Sequence, residues 1–498
     1  MPLGILEDRH LEHVPGTSPL STLGRVDLEV SAGVDSNLLK HDPSGKTVLV
    51  PQPSESPNDP YNWPRWKKEL FTVAIACRAC TAVGPLLTSA FVPLAQEFDV
   101  PLERFTLGCN GAMIAAISGG SLICNTLAVK FGKRPIYLLT SIGLFATNFW
   151  AAEAKSFGSL VAARTLGGFS GAVIQYASWR TCLHAMGAAF VVQFLVTFFW
   201  MPESAFDRVG AIDIDTGEQS VVVEKVKKIE AEHVEDSTST ASPATEAKKS
   251  YLRELLPYSG YWAKVSFWRT FLQPFAMMAS PVVLWATILF TTCISWLVLI
   301  SVTLSQIFSA PPYNFSVAAV GASNLSSFVA TLIATGLAGP IIDGCIQFMS
   351  KRNKGVFEPE FRLPIMMSYL LFTVTGFFAW GESLYREDPW PIPIIVGMGF
   401  INFGVQLGTT GVVAYVSDSH RTMAAEAFAA MNFIKNMFAF GMTFYINDWI
   451  ATQGVRQCFF VIGGITIGVV LLTVPMYIFG KRARSFTYRH KLIRRLVE

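Results

Sequence analysis

Long apolar runs constrain this chain more than any other feature. Roughly eleven of them approach the length of about 20 residues that an α-helix needs to cross a hydrocarbon layer about 30 Å thick. They are Leu70–Ala95, Phe105–Val129, Ile136–Ala152, Phe157–Tyr176, Thr181–Met201, Val282–Phe308, Val317–Ile342, Leu363–Trp380, Ile394–Val416, Met423–Ile446 and Cys458–Phe479. Most are apolar all round, whereas a helix of a large soluble protein keeps a polar face. Composition agrees: hydrophobic residues make up 51% and charged residues 15%, and mean hydropathy is +0.40. A soluble domain of this size carries more charge. The expected class is an all-α, multi-pass membrane protein.

Charge placement orients the runs. Lys and Arg cluster in the short loops Lys130–Arg134, Lys351–Lys354, His420–Arg421 and Lys481–Arg484, which predicts a cytosolic side for them. The loops around Pro311-Pro312-Tyr313 and Asp388-Pro389-Trp390 are poor in base and are expected outside. Asn314-Phe315-Ser316 is a glycosylation acceptor pattern in one of them. Residues 1–66 hold no signal-peptide core and read as a disordered cytosolic tail rich in Pro, Ser, Asp and Gly. A charged stretch from Glu203 to about Leu256 splits the runs into two sets. Tyr251–Gln273 after it reads as an amphipathic helix lying on the inner leaflet. The eight Cys lie mostly inside apolar runs, without metal-ligand spacing, and read as packing residues.

The domain reading is therefore a tail at 1–66, an N-terminal lobe at 67–203, a central loop at 204–280, a C-terminal six-helix lobe at 281–481 and a basic tail at 482–498. Parity exposes a problem in the first lobe. Five runs precede Glu203, yet the tail and the central loop are both expected in the cytosol, which requires an even number. Phe157–Pro202 has room for two crossings of about 20 residues with their turns, not three.

Two sets of about six helices joined by a long charged loop resemble the major facilitator superfamily, and local motifs agree. Asn125-Thr126-Leu127-Ala128-Val129-Lys130-Phe131-Gly132-Lys133-Arg134-Pro135 resembles the family's loop between helices two and three, with Asn125 and Val129 in place of its usual Gly and Asp. Leu160–Gly168, with Arg164 inside the apolar run, is similar to the fourth-helix motif. Gly355–Leu363, Tyr415–Arg421 and Lys435-Asn436 resemble the fungal drug:proton antiporter branch, which also holds polyamine and cation carriers. Against that template the end of the fourth helix and the whole fifth are absent. The resemblance implies a two-lobed bundle with about eleven spans instead of twelve.

Candidate site residues follow. The resemblance gives Arg164 a place near the proton-coupling site. Lys435 lies about 18 Å along its helix at 1.5 Å per residue, where a cation must pair or face water. Glu426 is nine residues away, roughly 900° of helix rotation and half a turn off, so a cavity or another helix is the expected partner. Arg78 either snorkels to the interface or meets an anion. Asn110, Asn402, Gln406 and Tyr415 are polar groups on helices, and Asn402 and Gln406 share a face. They serve a ligand or helix packing. By resemblance, Lys130, Lys133 and Arg134 with Asp343 and Asp418 form a cytosolic gate; anchoring by the positive-inside rule is the plain alternative. His420, beside Asp418, reads as a solvated loop histidine.

Other chemistries lack their residues. There is no complete Gly-x-x-x-x-Gly-Lys-Ser/Thr phosphate loop, no metal pair of His within an expected helix and no nucleic-acid patch, so neither an enzyme nor a cofactor is expected. The expected activity is proton-coupled efflux of an amphipathic organic compound, a drug or secondary metabolite, by alternating access, from a monomer in the plasma membrane. Its partners are then the solute, protons and the lipid bilayer. The alternatives are proton-coupled uptake of a small cation or polyamine, and a non-transporting remnant or membrane sensor.

Overall fold

The computed structural model describes residues 3–11, 14, 16–19, 56–80, 90–168, 179–204, 250–258, 260 and 266–490. The first lobe holds α1 (Arg65–Cys80), α2 (Phe91–Glu97), α3 (Leu102–Phe131), α4 (Lys133–Ala152), α5 (Phe157–Gly168) and α6 (Trp179–Trp200). An amphipathic helix, α7 (Phe267–Met277), precedes the second lobe. That lobe holds α8 (Pro281–Ser309), α9 (Val317–Arg352), α10 (Ile365–Tyr385), α11 (Ile392–Ser419), α12 (Ala424–Leu471) and α13 (Thr473–Arg489). Six of the described helices are long and apolar enough to cross a membrane. The only described strands are two residues each: β1 (Ser18–Pro19) pairs antiparallel with β2 (Val356–Phe357).

The apolar runs and the helices coincide closely, because length and all-round apolarity decide both. One boundary is hidden: the tenth and eleventh runs join into α12, broken at Gly454, whose φ of 80° and ψ of 158° no helical residue adopts. Glycine reaches that backbone region without the clash a Cβ would bring. The end of the run Phe157–Tyr176 lies outside the described residues, as does the middle of Leu70–Ala95.

Each lobe buries its own apolar core. Phe91, Phe105, Leu160 and Phe190 belong to the first, and Leu289, Tyr369, Trp380 and Ile462 to the second. The lobes meet where α3 packs along α12. Ser118 Oγ donates to the Phe433 carbonyl at 2.9 Å. Gly111 sits so near Thr443 that a Cβ would stand 2.8 Å from its hydroxyl, so the close approach depends on the bare backbone. α7 lies against both α3 and α12, with the Phe275 ring 5.4 Å from Phe433. Its other face carries Trp268, which is 68% exposed, and Leu272, as a helix lying on a leaflet requires.

The first residues of the tail depart from the disordered reading. Ile5 is fully buried in the core of the C-terminal lobe, and Val14 is buried too. Pro and Gly lower a segment's capacity for regular structure, but two apolar anchors and several charges are enough to dock it on a preformed surface.

Candidate functional site

Between the lobes lies a cavity of about 310 Å³. α3 contributes Asn110 and Ile114, α8 contributes Ser301 among aliphatic residues, α9 contributes Asn324 and Ser327, and α11 contributes Asn402. Two π-type turns border it: Leu107–Gly111 carries Asn110, and Ile392–Met398 ends one turn before Asn402. Such turns widen a helix locally and recur at functional sites. Asn402 Nδ2 donates to Ser327 Oγ at 2.9 Å and to the Met398 carbonyl at 2.8 Å, which fixes its amide toward α9. The described lining has amides and hydroxyls on apolar walls and no charged side chain.

A larger groove of about 880 Å³ lies between α9, α10 and α11 and is almost wholly apolar. Only one lobe builds it, and its walls include strongly exposed residues such as Leu325, so it reads as a lipid-facing surface. The inter-lobe cavity is the better site: polar groups converge there from both lobes on an apolar wall.

Asn110 and Asn402 thus come together, and Asn324 and Ser327 join them. The last two were legible in principle, since residues three apart on a helix share a face. Gln406 is half-buried one turn along from Asn402, outside the cavity lining, where its carbonyl accepts from Thr410 Oγ1 at 2.8 Å. Arg164 is buried on α5, 5% exposed, in the first lobe. Lys435 points from α12 toward α8: its Nζ donates to Asn432 Oδ1 at 3.0 Å and lies 5.4 Å from the Phe290 ring. Glu426 is half-buried on the same helix. Arg78 lies on α1, and its side chain is outside the described residues.

The gate candidates fall into separate groups. Arg134 is 2% exposed and caps α6, donating to the carbonyls of Met201 at 2.5 Å and Phe198 at 2.8 Å and also to Leu255 at 3.0 Å. Glu203 in turn accepts from the backbone N–H groups of Lys133 and Arg134 at 3.0 and 3.1 Å, at the start of α4, where a carboxylate suits the helix dipole. Lys133 is an exposed side chain and Lys130 is half-exposed. Asp343 is exposed on α9, and Asp418 pairs with Arg362 at 2.6 Å. Asn314 is exposed in the loop between α8 and α9.

Tyr415 belongs to a cluster at the end of the second lobe that carries the basic loops. Its ring stands at 90° to Trp285, and its hydroxyl donates to Glu360 at 3.4 Å. Arg484, fully buried, donates through Nη2 to Glu358 at 2.8 Å and Glu360 at 2.9 Å. Lys481 reaches Glu358 at 2.9 Å. Pairing a buried arginine with two carboxylates satisfies its fork geometry.

His420 differs from the solvated reading. It is fully buried, with Nε2 3.1 Å from Ser280 Oγ. Burial, and then the Arg484 guanidinium, push it down to about 3 from an ordinary value of 6.5. Glu358 moves the same way for another reason: burial alone raises a carboxyl, but Arg484 and then Lys481 outweigh it and hold the group below its usual range. His420 is neutral in the fold and takes up a proton on unfolding below 6.5; Glu358 is ionised in the fold and protonates more readily when unfolded. Both contributions are present at neutral pH and fade as pH falls, His420 first, from 6.5 downward. The midpoint of thermal unfolding is therefore expected to drop from pH 7.5 to about 4.5, and His420→Gln to flatten that drop. A midpoint independent of pH over this range would contradict the assignment.

Comparison with known proteins places this geometry. No family model matches the chain. It is 23% identical to an uncharacterized MFS-type transporter of Schizosaccharomyces pombe, over 96% of this chain and 94% of that protein. It is 22% identical to a probable efflux pump, mfs2, of Aspergillus flavus, over 76% of this chain and 93% of that one. Among solved structures, the proton:xylose symporter XylE superposes with a TM-score of 0.55, covering 83% of this chain and 96% of that chain at 12% identity. The chain is thus similar along most of its length to MFS-type transporters. At 12% identity XylE speaks for the fold alone, the two-lobed facilitator bundle. The MFS fold accounts for the seam of α3 and α12 and for the cavity above it.

Proposed function

We propose that the chain is a secondary-active carrier that exports a small amphipathic organic compound, uncharged at its polar end, by alternating access, with the proton gradient as its driving force. The observation that carries this reading is the inter-lobe cavity lined by Asn110, Asn324, Asn402, Ser301 and Ser327 on aliphatic walls. Amides and hydroxyls donate and accept, so they hold a carbonyl, ether or hydroxyl while the apolar walls take the hydrocarbon part. A polyamine or other cation needs a carboxylate to offset its desolvation, and the described lining offers none. That favours the neutral solute over the cation. Export is supported by the name of the Aspergillus flavus relative. The orientation proposed puts the basic loops and both termini in the cytosol of a plasma-membrane protein and Asn314 outside.

Expression in a host deleted for its own exporters tests the reading. The chain is expected to lower steady-state accumulation of Nile red, a neutral amphipathic dye, and a protonophore to abolish the difference. Asn402→Ala is expected to return accumulation most of the way to the empty-vector level, because a lost hydrogen bond with its desolvation cost of about 1–3 kcal/mol is roughly a 5- to 150-fold loss of affinity. Lower accumulation of labelled spermidine in cells lacking the chain would instead support cation uptake. A remnant without transport predicts no change with any probe. Its support is the length of Phe157–Pro202, which has room for two crossings and not three; a transcript encoding more apolar sequence between Gly171 and Arg180 removes that support.

A further inference from the structure

The first residues of the chain fold onto the lobe farther from them in sequence. Ile5 enters the C-terminal core. Leu6 N donates to the Ile478 carbonyl at 3.0 Å, Lys481 Nζ meets Glu7 at 2.6 Å, and Ser485 Oγ donates to Asp8 at 2.7 Å. The segment ends by adding β1 to β2, a strand addition in which backbone hydrogen bonds supply the register. Just before it, Thr17 Oγ1 donates to Glu358 Oε2 at 2.7 Å and accepts from Arg484 at 3.4 Å. The segment therefore fastens α13 to the loop between α9 and α10.

Contacts continue from there to the junction of the lobes. Thr487 follows Arg484 by about one turn of α13, and its Oγ1 stands 2.8 Å from Ser280 Oγ. Ser280 is the residue before α8 and also meets His420. α7 ends at Met277, immediately ahead of that corner, and packs on α3 of one lobe and α12 of the other. Packed side chains and hydrogen bonds thus run without a break from Thr17 through α13 and the start of α8 to the helix that bridges the lobes, the kind of connected path through which a local change is felt at a distance.

We propose that the described residues of this segment, 3–11, 14 and 16–19, form a releasable strap that holds α7 across the two lobes, so that its docking biases the carrier toward the arrangement described here. Its lock is electrostatic. Thr17 stands against Glu358, and Glu358 and Glu360 already share the Arg484 guanidinium, with Lys481 on Glu358, so a negative charge at position 17 sets a third carboxylate against two cations. This inference concerns the conformation of the chain and needs no identified solute, so it stands or falls separately from the proposed transport.

Hydrogen–deuterium exchange of the full-length chain in lipid nanodiscs tests it. Thr17→Glu is expected to speed exchange of the amides of residues 3–19 by about tenfold or more, the loss that breaking a hydrogen bond to a charged group entails. It is expected to speed exchange in α7, Phe267–Met277, in the same sample. Thr17→Ser, which keeps the hydroxyl, should match the parent at both places. Glu7→Lys, a milder change that sets a like charge against Lys481 at an exposed rim, should reproduce the Thr17→Glu pattern with smaller amplitude and guards against a variant that fails to fold. A strap that is freed while α7 keeps its protection would overturn the proposal, because the segment is then local packing only. Unchanged exchange in residues 3–19 for both charged variants would overturn it as well.

Discussion

Arg484→Leu is expected to lower the stability of the C-terminal lobe by about 3–5 kcal/mol, the usual cost of removing one partner from a buried ion pair. Arg484, Glu358 and Glu360 are 0%, 1% and 0% exposed, so the carboxylates left behind have little water to turn to. Lys481 remains on Glu358 at 2.9 Å, which leaves Glu360 the worse placed. The cost lies in the uncompensated charges more than in any attraction lost. The triple variant Arg484→Leu with Glu358→Gln and Glu360→Gln should therefore regain most of the lost stability, since neutral amides need no counter-charge. Thermal unfolding in detergent and the monodisperse yield report both. If the single and triple variants are equally damaged, the charge account is wrong and the arginine matters for its volume.

Lys435→Met acts in the opposite sense. A buried lysine is costly to hold, and methionine fills nearly the same volume, so the variant should fold at least as stably as the parent. Transport should suffer. Lys435 is held by Asn432 at 3.0 Å and lies over Phe290 of α8 at 5.4 Å, one turn of that helix from the cavity residue Ile294. With Arg164, it is a candidate for the group that couples the proposed transport to the proton gradient. Loss of a charge-assisted hydrogen bond of about 1.5–3 kcal/mol predicts efflux slower by about 10- to 150-fold. What remains should no longer respond to an imposed pH difference. Lys435→Arg keeps the charge and should keep part of that response. A Met variant that transports at the parental rate with an intact pH response would remove Lys435 from the mechanism.

Much of the fold was legible because one physical quantity decides it. A run of apolar residues long enough to span lipid has few alternatives to a helix, and α8 to α11 begin and end within a turn or two of the runs that announce them, apart from the longer tail of α9. Part of the candidate site was legible for a similar reason: polar residues inside apolar runs are few, so Asn110 and Asn402 stand out, and both line the candidate cavity. Tyr415 stood out by the same rule and lies elsewhere, against Glu360 and Trp285. The rule marks that a group needs a partner without saying which.

What stayed hidden depends on residues remote in sequence. Arg134 reads as one more positive-inside charge, and only the return of Phe198 and Met201 beside it makes it a helix cap. His420 reads as a loop residue because nothing local shows that Ser280 and Thr487 will enclose that loop. The docked tail is the clearest case. Its composition is that of a disordered segment, and Ile5 and Val14 are too sparse to form a periodic pattern, yet both are buried, Ile5 in the core of the C-terminal lobe.

Side-specific labelling of Asn402→Cys, in a chain whose eight native cysteines are replaced, tests the central claim most directly. With a membrane-impermeant maleimide applied to one face of oriented vesicles at a time, the introduced thiol should react from both faces. Reversing the imposed pH gradient should speed labelling on one face as it slows the other. Reaction from a single face only, or from neither, regardless of the gradient, would contradict a cavity that opens alternately to the two sides.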